Sequence, residues 1–214
     1  LGLQAWADMR AQIPASQNAE IQGLVDEVAL RLLRTAGEQP ADWEVLAFAS
    51  PEVNAFALPG NKIGVFEGMF EVIGSPDQLA AIVGHEIGHL QADHSRERIS
   101  AELAKNVGLN VARMALQAGD VAFANEIAAA LGLGVEYGLV LPYSRNQELE
   151  ADRLGLTLMA EAGFRPAEAV ELWRRMQAAQ SARAPEFLAT HPAPETRIQE
   201  IEAMLPTLPG ASGG

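Results

Sequence analysis

The apolar residues between positions 17 and 36 recur every three or four residues, the spacing that places them on one face of an α-helix. Gly37 follows this stretch and suits a C-terminal cap, because glycine adopts left-handed backbone angles without steric strain. The pattern predicts an amphipathic helix over 17–36 that packs on a core through Ile21, Leu24, Val25, Val28, Leu32 and Leu33.

Short apolar runs separated by turn residues then replace the helical spacing. Ser50-Pro51 lies between the first two runs, and Pro59-Gly60-Asn61 lies between the second and the third. Proline, glycine and asparagine favour turns, and short runs rich in β-branched and aromatic residues are typical of strands. We therefore predict a small antiparallel sheet formed by residues 43–48, 53–58 and 62–66.

Two helix starts are marked by a serine followed three residues later by a glutamine, the pattern of a capping box. They are Ser75 with Gln78 and Ser144 with Gln147. The first helix carries the sequence GHEIGHL, and its other residues are largely apolar. The second is predicted to run from residue 145 to about residue 162, where a glycine follows.

The rest of the chain continues the helical pattern, and Pro166 and Pro194 are suited to open two further helices. The predicted fold class is therefore α+β and mostly α, with a small antiparallel sheet and a helix that carries the histidine motif. We expect a single domain over residues 1–214, with 1–16 as an N-terminal segment and the glycine-rich residues 206–214 as a flexible tail.

Composition narrows the functions that this fold can carry. Hydrophobic residues make up 49% of the chain, which is a globular composition. The net charge of −13 argues against a nucleic-acid partner, because phosphate binding needs a basic surface. The chain has no cysteine, so a metal site must use histidine, aspartate or glutamate.

The most apolar stretch covers residues 127–141 and is interrupted by Glu136. Because a membrane-spanning helix needs about 20 apolar residues, we predict a buried helix or hairpin here, with a membrane-contacting segment as the alternative. The chain begins at Leu1 without an initiator methionine, so we expect a processed form, compatible with a signal peptide, lipid anchor or membrane span upstream.

The motif GHEIGHL places two histidines four residues apart, His85 and His89, with Glu86 between them. A helix brings positions four apart to one face, so both imidazoles can bind one zinc ion while the glutamate serves as general base toward a water molecule. Gly84 and Gly88 flank the histidines, and such a concentration of glycine indicates close approach by another group. The alternative is a helix with two surface histidines and a solvated glutamate.

A hydrolytic zinc site needs a third protein ligand and an open coordination position. Without cysteine, the candidates are acidic residues, His94 or His191. Glu148 and Asp152 are four residues apart on the second capped helix and can face one point, whereas Glu150 points elsewhere. We assign Glu148 as the third ligand and Asp152 as the partner that fixes the tautomer of a ligand imidazole. An ordinary solvated acidic face is the alternative.

Three segments, GHEIGH, SRNQELEADRLG and THPAPETRI, resemble the zinc metalloendopeptidase family of bacterial HtpX proteases, mitochondrial OMA-type proteases and type I CAAX prenyl proteases. The resemblance covers most of the chain and is closest to the soluble periplasmic or lipoprotein branch. It implies a gluzincin-like fold, one zinc ion per chain held by His85, His89 and Glu148, and Glu86 as the general base. The family pattern places its ligand four residues before the aspartate, which favours Glu148 over Glu150.

The resemblance also implies roles outside the two helices. His191 would approach the metal and either stabilise the oxyanion as a catalytic residue or cap the zinc as a fourth ligand. The segment VNAFAL resembles the edge strand above the zinc, where a substrate could pair as an added strand and contact the Asn54 side chain or the Ala55 backbone. Otherwise, His191 is a loop residue and Asn54 a turn former in a half-buried strand.

Three further residues have weaker signals. Arg145 is a candidate to anchor Asp152 or a substrate carbonyl, and Tyr143 is a candidate donor to the oxyanion. The alternative is that Arg145 pairs with a helix acid and that Tyr143 packs in the core. His94 lies nine residues after His85, about 180° around a continuous helix, so we assign it a structural role.

Two functions follow. The first is a zinc-dependent endopeptidase that cleaves misfolded or unassembled cell-envelope proteins, with no nucleic-acid partner, located in the periplasm or held at the membrane by an upstream anchor. The alternative is a latent, zinc-bound, chaperone-like module of an envelope assembly partner, in which His191 caps the metal. A metal-free helical scaffold would require both motifs to be coincidences.

Overall fold

The computed structural model describes residues 2–101, 104, 114, 143–179, 186–192 and 195–209. Helices dominate this part of the chain: α1 (Gly2–Gln12), α2 (Ala19–Thr35), α3 (Pro76–Gln91), α4 (Arg145–Glu161), α5 (Ala167–Ala179), α6 (Glu186–Thr190) and α7 (Glu195–Met204). A further helical run covers residues 94–101. The strands are β1 (Glu44–Phe48), β2 (Ala55–Leu58) and β3 (Lys62–Phe66). The predicted α+β class, mostly helical, is confirmed.

The predicted helix boundaries rest on caps that the structure contains. The Ser75 side chain accepts a hydrogen bond from the Gln78 amide, and Ser144 and Gln147 form a reciprocal capping box. Gly37 follows α2 with a φ of 73°, a left-handed conformation that favours glycine. Local chemistry therefore sets where these helices begin and end.

The sheet corrects one prediction. Its strand order is β1-β3-β2, so β3 lies in the centre, antiparallel to β2 but parallel to β1. The expectation of an entirely antiparallel sheet is therefore wrong for the β1–β3 pair. The sequence pattern indicates which residues are extended. It does not specify on which side of the β2–β3 hairpin β1 pairs, or in which direction, because that depends on tertiary contacts.

Helix α3 is the most buried helix of the described residues, and every residue from Gln78 to His89 is buried. Its glycines lie against the backbone of α4. A methyl group added at Gly88 would lie 2.7 Å from the Ala151 carbonyl oxygen, and one added at Gly84 would lie 3.2 Å from the Gly155 carbonyl oxygen. The close approach predicted from the glycines is thus made by a second helix. This spacing brings the α4 side chains within reach of the α3 histidines.

Residues near both ends of the described chain pack in hydrophobic clusters. Trp6 of α1 meets Phe48 edge-on, with ring centroids 5.4 Å apart. Near the other end, Leu205–Thr207 forms a 3₁₀ turn and Leu208 is buried. The part of the predicted tail after residue 209 lies outside the described residues, so its flexibility stays a prediction.

The chain divides into two compact units: residues 1–95 with 142–214, and residues 96–141. The first contains helices α1 to α7 and strands β1 to β3, and the described residues of the second are helical. The single-domain organisation stays a prediction. No described helix is long and apolar enough to cross a membrane. The apolar stretch 127–141 lies outside the described residues.

Candidate metal centre

Two helices bring three of the predicted ligands together. The Nε2 atoms of His85 and His89, on α3, are 3.0 Å apart. From α4, Glu148 places Oε1 3.2 Å from His89 Nε2 and Oε2 3.6 Å from His85 Nε2. Each of the three residues is at most 2% exposed. The predicted convergence of these side chains is therefore present in the structure.

His191 completes the cluster from a distant segment. Its Nδ1 atom lies 3.0 Å from Glu148 Oε1 and 3.2 Å from His85 Nε2, and its Nε2 atom lies 3.4 Å from Glu86 Oε1. The donor atoms of the two α3 histidines, the glutamate and His191 all lie within 4.8 Å of one another. Phe187 of α6 stacks on the His191 ring at 4.2 Å and helps to hold it there.

The proton positions around His85 test whether this cluster suits a metal. Asp152 Oδ1 lies 2.9 Å from His85 Nδ1, and both carboxylate oxygens of Asp152 accept hydrogen bonds from Arg197. An ionised aspartate can only accept, so Nδ1 of His85 carries a proton, and in the neutral ring Nε2 then presents its lone pair. That lone pair faces the carboxylate of Glu148. Converging acceptors of this kind require a cation, and nitrogen and carboxylate donors without sulfur suit zinc.

Burial lowers the pKa of His85, but the charge of Glu148 and the hydrogen bond to Asp152 outweigh this and raise it, so a divalent metal would displace a proton from this ring. Burial alone would raise the pKa of Glu148, but the charge of His85 and hydrogen bonds from His191 and His89 hold that pKa far below its ordinary value. Burial and the neighbouring charge of His85 lower the pKa of His89 well below its usual range. An ionised carboxylate and a neutral imidazole are the forms that bind a divalent metal.

Arg197 is a part of the centre that the sequence analysis missed. It is 1% exposed, donates to both oxygens of Asp152 at 2.7 Å, and forms an ion pair with Glu148. Its guanidinium also lies 4.1 Å from the ring centroid of Trp173 and donates to the Pro192 carbonyl. Burial of Asp152 would raise its pKa, but Arg197 outweighs this and lowers it. The sequence signal that could have identified Arg197 is its position six residues after the candidate residue His191.

The prediction that Arg145 anchors Asp152 is wrong. Arg145 is largely exposed and pairs with Glu200 at 2.6 Å, because its position in the first turn of α4 faces α7. Tyr143 is buried and stacks on His89 with ring centroids 3.8 Å apart, and its hydroxyl lies 3.3 Å from Ser95 Oγ. Arg145 thus pairs with a helix acid, whereas a contact of Arg145 with a substrate carbonyl and a donor role of Tyr143 toward the oxyanion stay predictions.

His94 lies closer to the centre than the helical count predicted. Its Nδ1 atom is 3.1 Å from Nδ1 of His89, and its Nε2 atom is 3.3 Å from Glu150. The count of 180° assumed a continuous helix, but α3 ends at Gln91 and Asp93 has a φ of 58°. The chain therefore turns, and His94 returns toward α3.

Asn54 and Ala55 lie at the start of β2, which packs on α3. The Phe66 amide donates to the Asn54 carbonyl at 3.0 Å, so the neighbouring Ala55 directs its own backbone groups to the opposite edge of the strand. Among the described residues, only β3 pairs with β2 in the sheet. The Asn54 side-chain oxygen is buried without a hydrogen-bond partner in the described part of the chain.

An HExxH helix whose histidines meet a glutamate from a second helix defines the gluzincin class of metallopeptidases. Within that class, the chain belongs to peptidase family M48, whose model matches residues 15–205. The resemblance to this family is thereby confirmed, and the chain is a member of a metalloendopeptidase family.

Named relatives agree with the family. Mitochondrial metalloendopeptidase OMA1 of Schizosaccharomyces pombe is 38% identical over 184 residues, covering 85% of this chain and 52% of that protein. Human mitochondrial metalloendopeptidase OMA1 is 30% identical over 195 residues, covering 85% of this chain and 37% of its own length. Beta-barrel assembly-enhancing protease of Escherichia coli is 27% identical over 202 residues, covering 90% of this chain and 40% of its own. The chain thus spans about half, or less, of these relatives.

Proposed function

We propose that this chain is the catalytic domain of a zinc-dependent endopeptidase that hydrolyses misfolded or unassembled cell-envelope proteins. The observation that carries the proposal is the buried convergence of His85, His89 and Glu148 next to Glu86. Membership of a metalloendopeptidase family supports the same reaction class.

In this proposal His85, His89 and Glu148 are the metal ligands. A bound zinc ion supplies a Lewis acid that activates water and polarises the peptide carbonyl. Glu86, buried on the same helix as both histidines, takes the proton from water and passes it to the leaving amine. Asp152 keeps the His85 proton on Nδ1, so that Nε2 faces the metal.

We propose that the substrate binds in an extended conformation along the outer edge of β2. Ala55 directs its backbone donor and acceptor groups to that edge. Ala55 is 0% exposed and the Asn54 side-chain oxygen is buried, so substrate binding here requires this edge to become exposed. Backbone pairing is independent of side-chain identity, and it requires an unfolded segment. This suits a protease that acts on misfolded or unassembled polypeptides.

The latent, chaperone-like module remains the second candidate, and the position of His191 favours it. The His191 Nδ1 atom lies among the donor atoms of the cluster, where a fourth ligand would occupy the open position that hydrolysis needs. The two candidates differ in one property. An active endopeptidase cleaves an unfolded polypeptide and loses this activity with a chelator, whereas a permanently capped module does not cleave it.

The cell-envelope location is also a proposal. Its support is the similarity to a protease named for β-barrel assembly in Escherichia coli, while the OMA1 relatives are named as mitochondrial. Localisation of the tagged native protein by fractionation of its host cells tests this part independently of the chemistry.

The deciding experiment measures zinc per chain and cleavage of an unfolded model protein. We expect one zinc ion per chain in the wild type and in Glu161→Ala, an exposed control on α4, and much less in Glu148→Ala. Glu86→Gln should retain zinc but cleave at least about 100-fold more slowly, because the general base is lost. Cleavage by Glu86→Gln at the wild-type rate would contradict the mechanism. Absence of zinc from the wild type after refolding with metal would contradict the whole proposal.

A further inference from the structure

Besides His85 and Asp152, the described residues contain a second hydrogen-bonded imidazole and carboxylate next to a proposed ligand. These are His94 and Glu150, and His94 contacts His89. We propose that His94 is a positioning residue for His89, and that Glu150 in turn sets the tautomer of His94. This inference rests on the proposed zinc site. It adds two residues whose role would be to orient a ligand and fix its proton, without touching metal or substrate.

The contacts form a chain from the centre to the surface. His89 Nδ1 lies 3.1 Å from His94 Nδ1, and His94 Nε2 lies 3.3 Å from Glu150 Oε2. His89 is 0% exposed and His94 3% exposed, so water does not compete strongly for the contact between the two rings. The Glu150 side chain is 61% exposed. The last member therefore remains in contact with solvent.

The tautomer of each histidine determines which atom donates and which accepts in each hydrogen bond. When Nε2 of His89 offers its lone pair to a metal, the proton of the neutral ring is on Nδ1. That N–H can only donate, so Nδ1 of His94 accepts. A neutral His94 then carries its own proton on Nε2 and donates it to the carboxylate of Glu150. All three contacts are satisfied by this one assignment of protons.

The contacts of His89 resemble those of His85, the other proposed histidine ligand. His85 donates directly to Asp152, whereas His89 reaches its carboxylate, Glu150, through the intervening ring of His94. Asp152 and Glu150 are two residues apart on α4 and therefore point in different directions. One helix would thus supply a ligand, Glu148, and the carboxylate that supports each histidine.

The break after α3 makes this geometry possible. Asp93 adopts a left-handed conformation in the turn after α3, and His94 then lies at the Nδ1 edge of His89. Tyr143 stacks on the face of the His89 ring at 3.8 Å. The ring is therefore held on one face by stacking and at one edge by a hydrogen bond.

The experiment compares two substitutions of almost equal shape. The Oδ1 atom of asparagine in His94→Asn occupies about the place of His94 Nδ1 and still accepts from His89, whereas His94→Leu offers no acceptor. Zinc affinity is measured by competition with a chromophoric chelator, and ligand geometry by the visible spectrum of the Co²⁺-substituted protein. We expect zinc binding to weaken by about 10- to 100-fold in His94→Leu, with a changed cobalt spectrum, and much less in His94→Asn.

Glu150→Ala provides an independent measurement if His94→Leu fails to fold. Because Glu150 is exposed and acts through His94, we expect a loss of a few-fold in zinc affinity relative to Glu161→Ala, the exposed control on the same helix. Equal weakening in the leucine and asparagine variants would indicate a packing role and overturn the inference. Wild-type zinc affinity and cobalt spectrum in His94→Leu would also overturn the inference. If His94→Leu does not fold, the same result in Glu150→Ala would overturn it. Neither result would contradict the proposed zinc site. Failure of the wild type to bind zinc would instead refute the proposed function.

Discussion

At the scale of single residues, the centre depends on a buried cation that stands outside the HExxH motif. Arg197 meets the carboxylates of Asp152 and Glu148 where neither is more than 4% exposed. Two carboxylates at this depth need a counter-charge, because a buried and uncompensated ion is costly. The arginine supplies that charge and leaves the Nδ1 proton of His85 directed at Asp152.

Removing this cation is expected to destabilise the fold. Arg197→Met keeps most of the side-chain volume but leaves the two carboxylates without their partner, so the free energy of unfolding should fall by about 3–5 kcal/mol. The matched control is Arg145→Met, which breaks an exposed pair with Glu200 and should cost less than about 1 kcal/mol. Urea unfolding followed by circular dichroism measures both. Equal losses in the two variants would contradict the role given to Arg197.

At the scale of elements, the site is a property of two helices in close contact. Gly84 and Gly88 on α3 face Gly155 and Ala151 on α4, so the two backbones approach more closely than ordinary side chains allow. The close packing places Glu148 beside the α3 histidines. Glycine lowers the intrinsic stability of a helix, and here the helix contact compensates for it.

Adding one methyl group at this contact tests its importance. Gly88→Ala would place a methyl carbon 2.7 Å from the Ala151 carbonyl oxygen, so the helices must separate. We expect a loss of about 1–3 kcal/mol in the free energy of unfolding, together with weaker zinc binding. The control is Gly23→Ala on α2, where the added carbon meets nothing within 4 Å and should stabilise by about 0.5–1 kcal/mol. Stabilisation in both variants would show that the α3–α4 distance is not limiting.

At the scale of the whole molecule, segments far apart in sequence meet at the centre. His191 directly follows α6, and α6 is held by a hydrogen bond from the Phe187 amide to the Val53 carbonyl, just before β2. The proposed substrate edge and the proposed cap are thereby joined by backbone contacts. The proposed binding of a substrate along β2 would therefore influence the position of His191 through this backbone contact.

Replacing His191 distinguishes its two proposed roles. Because its Nδ1 atom lies within the donor cluster, we expect His191→Ala to cleave an unfolded protein several-fold faster and to bind zinc somewhat more weakly. Initial rates at saturating zinc measure the first effect, and the inactive double variant Glu86→Gln with His191→Ala shows that turnover uses the same site. A lower rate would assign His191 to the transition state. An unchanged rate would contradict both roles.

Much of this molecule follows from local sequence. Capping residues predicted the starts of α3 and α4, and the four-residue spacing of His85 and His89 placed both imidazoles on one face. Such features depend on helical geometry within a few residues, so they can be predicted without knowledge of the neighbours. The spacing of Glu148 and Asp152 also predicted the partner glutamate, which the family resemblance supported, and the resemblance extended the prediction to His191.

Other features were decided by the tertiary structure alone. The parallel pairing of β1 with β3, the choice of Arg197 over Arg145 and the return of His94 to His89 each depend on where distant or interrupted segments meet. Sequence determined which residues could form helices and offer ligands, because those properties are local. Tertiary packing decided which carboxylate, arginine and imidazole support each ligand, because the energy of a buried charge or hydrogen bond depends on the partner it meets after folding.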